Sequence, residues 1–227
     1  MAYRVLTYRE AINEVLIRLR EDTISSDWSG NINDSTTVSA YEKVIGALVN
    51  DSKRMVEERH DWLNLRDTVD IATVNGTENY TLGSGQELKI LDAINNTTGM
   101  HLRQVGRTYI NTVTYPSQNT GEPLYYAFNG SDASNNLKVD LSPVPTTAHT
   151  ISFDIVRHQD DLTEADTVIS VPTKPVVLGA WARAIAERGE DGGTQSSLMA
   201  LEAIEALKQA IILDSGNTRY ETDWYIN

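Results

Sequence analysis

The sequence predicts an α+β protein in which a four-helix bundle carries an inserted antiparallel β-domain and an extended C-terminal tail. Apolar residues recur at helical spacing near both ends of the chain, whereas they alternate with polar residues through its middle. Two apolar-striped helices at each end cannot bury themselves alone, so we expect them to form one bundle. The predicted boundaries are 1–65 and 160–214 for the bundle, 66–159 for the β-domain and 215–227 for the tail.

Composition excludes several classes of protein. The chain has 227 residues, 40% of them apolar, and a net charge of −13. It has no cysteine, which excludes disulfides, thiolate zinc sites and cysteine nucleophiles. The acidic balance argues against a surface that grips nucleic acid, because such affinity depends on neutralising phosphates with Lys and Arg. No apolar run approaches a membrane span of about 20 residues, and we expect no signal peptide.

Two helices are predicted before the β-domain. Thr7 and Glu10 have the spacing of a capping box, so a helix should begin there and run over 8–20. A longer helix should follow over 38–59. Its expected buried stripe consists of Tyr41, Val44, Ile45, Leu48, Met55 and Val56.

The first half of the β-domain begins with a predicted hairpin over 68–82. It follows from alternating residues and from the Asn75-Gly76 pair, the strongest short-range turn signal. Residues 107–115 fit either a short helix or a strand. The elements predicted between these two segments are a strand over 88–94, a turn over 95–99 and a returning strand over 100–105.

The alternation of apolar and polar residues is clearest in the second half of the β-domain. Residues 124–128 are rich in aromatic side chains that suit a strand, and Asn129-Gly130 suits the hairpin end that follows. Strands over 137–142 and 151–156 should each bury one face. Pro143 and Pro145 exclude a central strand between them, so about six strands are expected in all.

Two further helices and a tail complete the chain. A helix over 174–188 should end at the glycine-rich segment 189–193, and Thr194 or Ser196 should cap the last helix. The short connection favours an antiparallel pair. The expected core stripe of the last helix consists of Leu198, Leu201, Ile204, Leu207 and Ile211. The tail carries four large anchoring side chains, so it should either pack on its own subunit or dock on a neighbour.

Residues 120–187 resemble a family of phage proteins. The motifs are G-x-P-x-Y-Y-A-F over 121–128, L-x-x-x-L-S-P-V-P over 137–145, and an acidic D-D-L-T segment that leads to a proline-started helix. In this order they resemble the head-to-tail adaptors of tailed phages, the connector subunits of the tail tubular protein A class. The order of the helices on either side agrees with that family.

The resemblance implies a structural virion protein without enzymatic activity or cofactor. It implies a 12-subunit ring that joins the portal protein to a tail nozzle or tube protein. The ring would continue the DNA channel, and DNA would pass without specific binding. It also implies assembly in the host cytoplasm, no membrane contact and a place in the neck of the virion. The implied portal-docking residues of the tail are Arg219, Tyr220, Trp224, Tyr225 and Ile226.

Other side chains suggest two alternative functions. Clustered carboxylates could serve a wall-degrading hydrolase carried in the virion, cap the following helix or weakly bind a divalent cation; they are Asp160, Asp161, Glu164 and Asp166. An exposed aromatic platform would instead support a carbohydrate-binding tail module, and its candidates are Tyr109, Tyr115, Tyr125 and Tyr126. The four histidines, His60, His101, His149 and His158, show no spacing typical of metal ligands, so we expect no metal site.

Overall fold

A computed structural model describes residues 5–83, 88–114, 119–189 and 193–217 of the chain. Within these ranges the protein is α+β, with five helices and largely antiparallel sheets, so the predicted class is confirmed. The chain divides into two compact units. The helical unit combines Met1–Leu65 with Gln159–Asn227, and the β unit is Arg66–His158.

Four of the described helices belong to the helical unit, and the shorter helix α3 lies in the β unit. Both helices predicted near the N-terminus begin with a capping box, formed by Thr7 with Glu10 and by Ser39 with Glu42. These boxes satisfy backbone N–H groups that the first turn leaves without partners. The helices are α1 (Tyr8–Leu19), α2 (Ala40–Glu57), α3 (Arg107–Thr114), α4 (Thr173–Arg188) and α5 (Thr194–Asn217).

Helix α4 is the centre of the helical unit. It packs against α1, α2 and α5, and α1 also packs against α2. Gly46 on α2 and Gly179 on α4 permit close approach, because a side chain at Gly46 would meet Tyr8 and one at Gly179 would meet Ser52. A closed four-helix bundle stays a prediction.

The buried face of α2 differs from the predicted stripe. Val44 and Met55 are exposed, which makes that part of the prediction wrong. Ile45, Val49 and Val56 are buried, and the face also includes polar side chains. Lys53 and Glu57 form an ion pair there, one helical turn apart. A Lys–Glu pair one helical turn apart is typical of a solvated helix face, so the sequence did not indicate that this side of α2 is buried.

Two four-stranded sheets make up most of the β unit. Their strand orders are β1-β10-β3-β4 and β2-β8-β7-β5, and β6 pairs with β9 alone. The core between them includes Phe153, Ile151 and Leu141, all fully buried. The strands are β1 (Arg66–Ala72), β2 (Asn79–Thr81), β3 (Leu88–Asn95), β4 (Met100–His101), β5 (Arg103–Gln104), β6 (Thr120–Gly121), β7 (Tyr125–Ser131), β8 (Leu137–Ser142), β9 (Val144–Pro145) and β10 (Thr150–Arg157).

The predicted hairpin over 68–82 is wrong. Strand β1 pairs along its whole length with β10, whereas β2 pairs with β8 in the other sheet. A turn does form at Asn75-Gly76, where Gly76 has a φ of 76°. Gly76 N–H donates to the Pro145 carbonyl and Thr77 N–H to the Val74 carbonyl, so one distant and one local contact hold the turn, and no hairpin ladder does. Long-range pairing therefore outweighs the local signal.

Other local predictions in the β unit are confirmed or refined. Strands β3 and β4 pair around the predicted turn, and β7 and β8 form an antiparallel pair. The predicted hairpin end at Asn129-Gly130 lies within β7, where Gly130 forms a bulge. The turn between β7 and β8 follows it, at Asp132 and Asn136. The segment left open in the sequence is helical as α3, although its predicted last residue, Tyr115, lies outside the described ranges.

Candidate functional site: the outer face of helix α5

The predicted portal-docking tail lies outside the described residues. This applies to all five of its candidate side chains, Arg219, Tyr220, Trp224, Tyr225 and Ile226. Their docking role therefore stays a prediction. The helix that leads into the tail is described, and its surface is the main candidate for contact with another protein.

Small side chains form the inner face of α5. Ala203, Ala206 and Ala210 are buried, and the first two pack with Leu178 of α4, with Trp181 beside them. Alanine adds little bulk and loses no side-chain entropy on burial, so it allows two helix backbones to approach closely. The close contact between α4 and α5 is therefore built on alanines.

Large apolar side chains form the outer face of α5. The exposed fractions are 56% for Leu198, 62% for Leu201, 47% for Ile204, 69% for Ile212 and 53% for Leu213. Three of these residues belong to the predicted core stripe, so that prediction is wrong for them. Apolar residues occur on both sides of the helix, so the positions of the leucines alone could not show which side faces α4.

The sequence did contain a signal for the correct face. Ala203, Ala206 and Ala210 are spaced three and four residues apart, which places them on one side of a helix. A soluble surface helix normally carries charged residues opposite its buried side, and a helix apolar all round is normally buried. The exposed side of α5 does carry Glu202, Glu205 and Lys208, but the large apolar residues between them indicate a surface that another chain segment covers.

A groove lies beside this outer face, between α2, α4 and α5. It holds about 200 Å³ and is lined mainly by apolar side chains. Met55 of α2 forms part of one wall, and Ala200 and Ile204 of α5 form the opposite wall. Arg183 of α4 lies at the groove and donates to the Ser52 hydroxyl. The site can therefore bind an apolar segment and present one cation to it.

The C-terminal end of α5 is fixed in place. The Asp214 carboxylate lies 3.0 Å from Nε2 of His60 and accepts a hydrogen bond from Leu63 N–H at 3.3 Å. The imidazole of His60 contacts the ring of buried Trp62 edge-on, with ring centroids 4.9 Å apart. These contacts fix the position from which the following segment leaves the helix.

The acidic segment proposed for a hydrolase has structural partners. Asp161 forms an ion pair with Arg54, and Asp166 lies 3.0 Å from the Arg9 guanidinium. The backbone carbonyl of Asp160 accepts a hydrogen bond from Lys53, and the backbone of Glu164 forms an isolated β-bridge with Asn31. These contacts attach residues 160–166 to α1, α2 and the loop between them, and they give the carboxylates of Asp161 and Asp166 a structural role.

The tyrosines proposed for a binding platform are not all at the surface. Tyr126 is buried and contacts Phe153 edge-on at 5.5 Å, so it belongs to the β core. Tyr109 is 44% exposed and contacts the Tyr125 ring, also at 5.5 Å. Hydrogen bonding to Tyr125 raises the pKa of the Tyr109 phenol. Tyr115 lies outside the described ranges, and among the described candidates Tyr109 and Tyr125 remain for a platform.

The histidines serve separate local contacts. Nδ1 of His101 lies 2.8 Å from Asp92, and Nε2 of His149 lies 3.0 Å from the Thr147 hydroxyl. Across the described ranges, no group of three or more His, Asp or Glu side chains could hold a metal ion.

Comparison with known proteins points to one family. A family model described as SU10 adaptor protein matches residues 6–223. No curated protein matches the chain. No helix in the described part of the chain is both long and apolar enough to cross a membrane.

Proposed function

The chain belongs to the SU10 adaptor protein family, and we propose that it is a ring-forming subunit that joins a phage portal to the tail. Membership makes it a structural, adaptor-type phage protein of the virion neck. It also points to a protein without enzymatic activity. We further propose that it belongs to the tail tubular protein A class, which the motifs over 121–145 support.

The outer face of α5 carries this proposal. Leu198, Leu201 and Ile204 are about half exposed or more on a helix whose other side is already packed. Fully burying an exposed Leu or Ile side chain contributes about 1.5–3 kcal/mol, and these half-buried ones would each contribute about half of that, so a cluster of them favours association. A ring subunit needs such a surface, because each copy must bind its neighbours.

The remaining parts of the chain have proposed roles in the same assembly. We assign the helical unit to contacts around a 12-subunit ring and the β unit to an inserted domain within each subunit. Residues 215–227 would dock on the portal through the aromatic side chains of the tail. The partner below the ring would be a tail nozzle or tube protein.

The charge of the chain is consistent with a DNA channel that does not hold DNA. Asp and Glu outnumber Lys and Arg by 32 to 19. An acidic lining repels phosphates, so DNA would move past the ring without specific binding. The proposal therefore predicts that the purified chain does not retain duplex DNA at physiological salt.

Mass measurement tests the proposal directly. The purified chain is measured alone and after mixing with the portal protein of the same phage. We expect a ring of defined copy number to form on the portal. A chain that neither binds the portal nor occurs in purified virions would contradict the proposal.

A further inference from the structure

We propose that the groove between α2, α4 and α5 is a binding site for an aromatic, acidic peptide, and that residues 218–227 of the same chain occupy it in the free subunit. The segment would occupy the groove in the subunit before assembly, whether or not rings form.

The groove has the shape and polarity for such a peptide. Its walls include Met55 and Ile204, which are 38% and 47% exposed, and Gly179 and Ala182 lie at its lining without bulky side chains. Pockets that bind apolar ligands combine such apolar walls with a few polar groups that fix orientation. Arg183 supplies that polar group.

The segment can reach the groove. Helix α5 ends at Asn217, and Ile204 lies about 20 Å back along it at 1.5 Å per residue. An extended chain advances about 3.3 Å per residue, so a segment returning along α5 would bring Trp224 level with the stretch between Ile204 and Ala200. Tyr220 would then lie opposite Ile211, which is partly buried.

The residue pattern of the segment suits this extended return. Tyr220, Trp224 and Ile226 are separated by even numbers of positions, so an extended backbone places them on one side. The segment can therefore direct three large apolar side chains toward one wall. Aromatic side chains of this kind contribute most of the binding energy at protein interfaces.

Charge also matches between the groove and the segment. Arg183 contacts Ser52 and the Met55 sulfur, and among the described residues no carboxylate lies within ion-pair distance of it. The segment carries Glu221 and Asp223 on either side of Thr222. In the extended return, Asp223 comes level with Ile204 but points away from Trp224, toward the wall where Arg183 contacts Ser52 and Met55. An ion pair there would set the register of the peptide.

Engineered cysteines can test the location, because the chain has none of its own. The full-length double variant Ala200→Cys/Ile226→Cys places one thiol at the α5 wall of the groove and one on the side of the segment that faces this wall. The matched control Gln209→Cys/Ile226→Cys moves the first thiol to the opposite side of α5. Both variants are oxidised at low protein concentration without portal, and the disulfides are identified by mass spectrometry.

We expect a disulfide within single chains for Ala200→Cys/Ile226→Cys and much less for the control. Adding Ile204→Asp should reduce the yield about tenfold, because it places a charge in the apolar groove. Adding Ile212→Asp should leave it unchanged, since that residue does not line the groove. Disulfides between two chains would assign the groove to a second copy and overturn the proposal. Equal yields for both double variants, or none, would also overturn it.

Discussion

The ammonium group of Lys53 lies 3.2 Å from Oε1 of Glu57, and both side chains are fully buried on α2. The same ammonium donates to the carbonyls of Gln159 and Asp160, where the chain returns to the helical unit. One buried cation thus joins α2 to the segment that precedes α4. Removing this cation should therefore weaken the helical unit.

Lys53→Met should destabilise the protein by about 3–5 kcal/mol, because it leaves the Glu57 charge buried without its cation. Urea unfolding measures the loss. Arg54→Met is the matched control, since Arg54 pairs with Asp161 at the surface and such pairs contribute about 0–1 kcal/mol. Equal losses for the two variants would contradict a buried ion pair at Lys53.

Gly46→Ala should destabilise the packing of α1 on α2. The added Cβ would lie 2.5 Å from the Tyr8 hydroxyl oxygen and 2.8 Å from Cδ1 of Ile32. Such overpacking typically costs about 1–3 kcal/mol. Gly179→Ala on α4 gains the same helix propensity but meets Ser52 only at 3.3 Å, so it should cost less. Thermal unfolding compares the two, and a more stable Gly46→Ala would refute the close contact.

Ala206→Leu should disrupt the contact between α4 and α5. Ala206 is 6% exposed within the alanine face, and the larger side chain should cost about 1–3 kcal/mol. The control is Ala186→Leu, an exposed alanine on α4. Both are measured by urea unfolding. If Ala206→Leu were as stable as the control, the alanine face would not be the buried side of α5.

Leu201→Glu should leave the isolated subunit folded and weaken its association with the portal-bound ring. Leu201 is 62% exposed, so the change should alter stability by no more than about 0.5 kcal/mol. In an assembled interface the new charge would be buried without a partner. Gln209→Glu adds the same charge at an exposed position of α5 that is already polar and should assemble normally. Co-sedimentation with portal is the measurement, and normal assembly of Leu201→Glu would count against the outer face as an interface.

Asp132 should make the β7–β8 turn sensitive to acid. Hydrogen bonds from Asn136 and Ser134 hold the pKa of its carboxyl below the ordinary value, against a small opposing effect of burial. The carboxylate therefore stabilises the turn above the unfolded-state pKa of about 3.9, and this stabilisation is lost as pH falls through the lower folded pKa. NMR titration of Asp132 and amide exchange at Asn136 measure both effects. In Asp132→Asn the turn should no longer respond to pH in this range, and an unchanged acid response would refute the assignment.

Local signals in the sequence predicted where several elements begin. The side chains of Thr7 and Glu10 each accept a hydrogen bond from the backbone N–H of the other residue, so their capping box needs no tertiary contact. The alternation through Ile151, Phe153 and Ile155 likewise predicts a strand with a buried face, and all three are fully buried in β10. Such signals are readable because the interacting groups are close in sequence.

The sequence by itself determined the α+β class, the positions of four helices and the absence of thiol chemistry. Only the tertiary structure decided that β1 pairs with β10, because strand pairing depends on contacts far apart in the chain. It also decided which side of α5 faces α4. Large apolar residues occur on both sides of that helix, so their burial alone favours neither side. The closer approach allowed by Ala203, Ala206 and Ala210 leaves the leucines exposed.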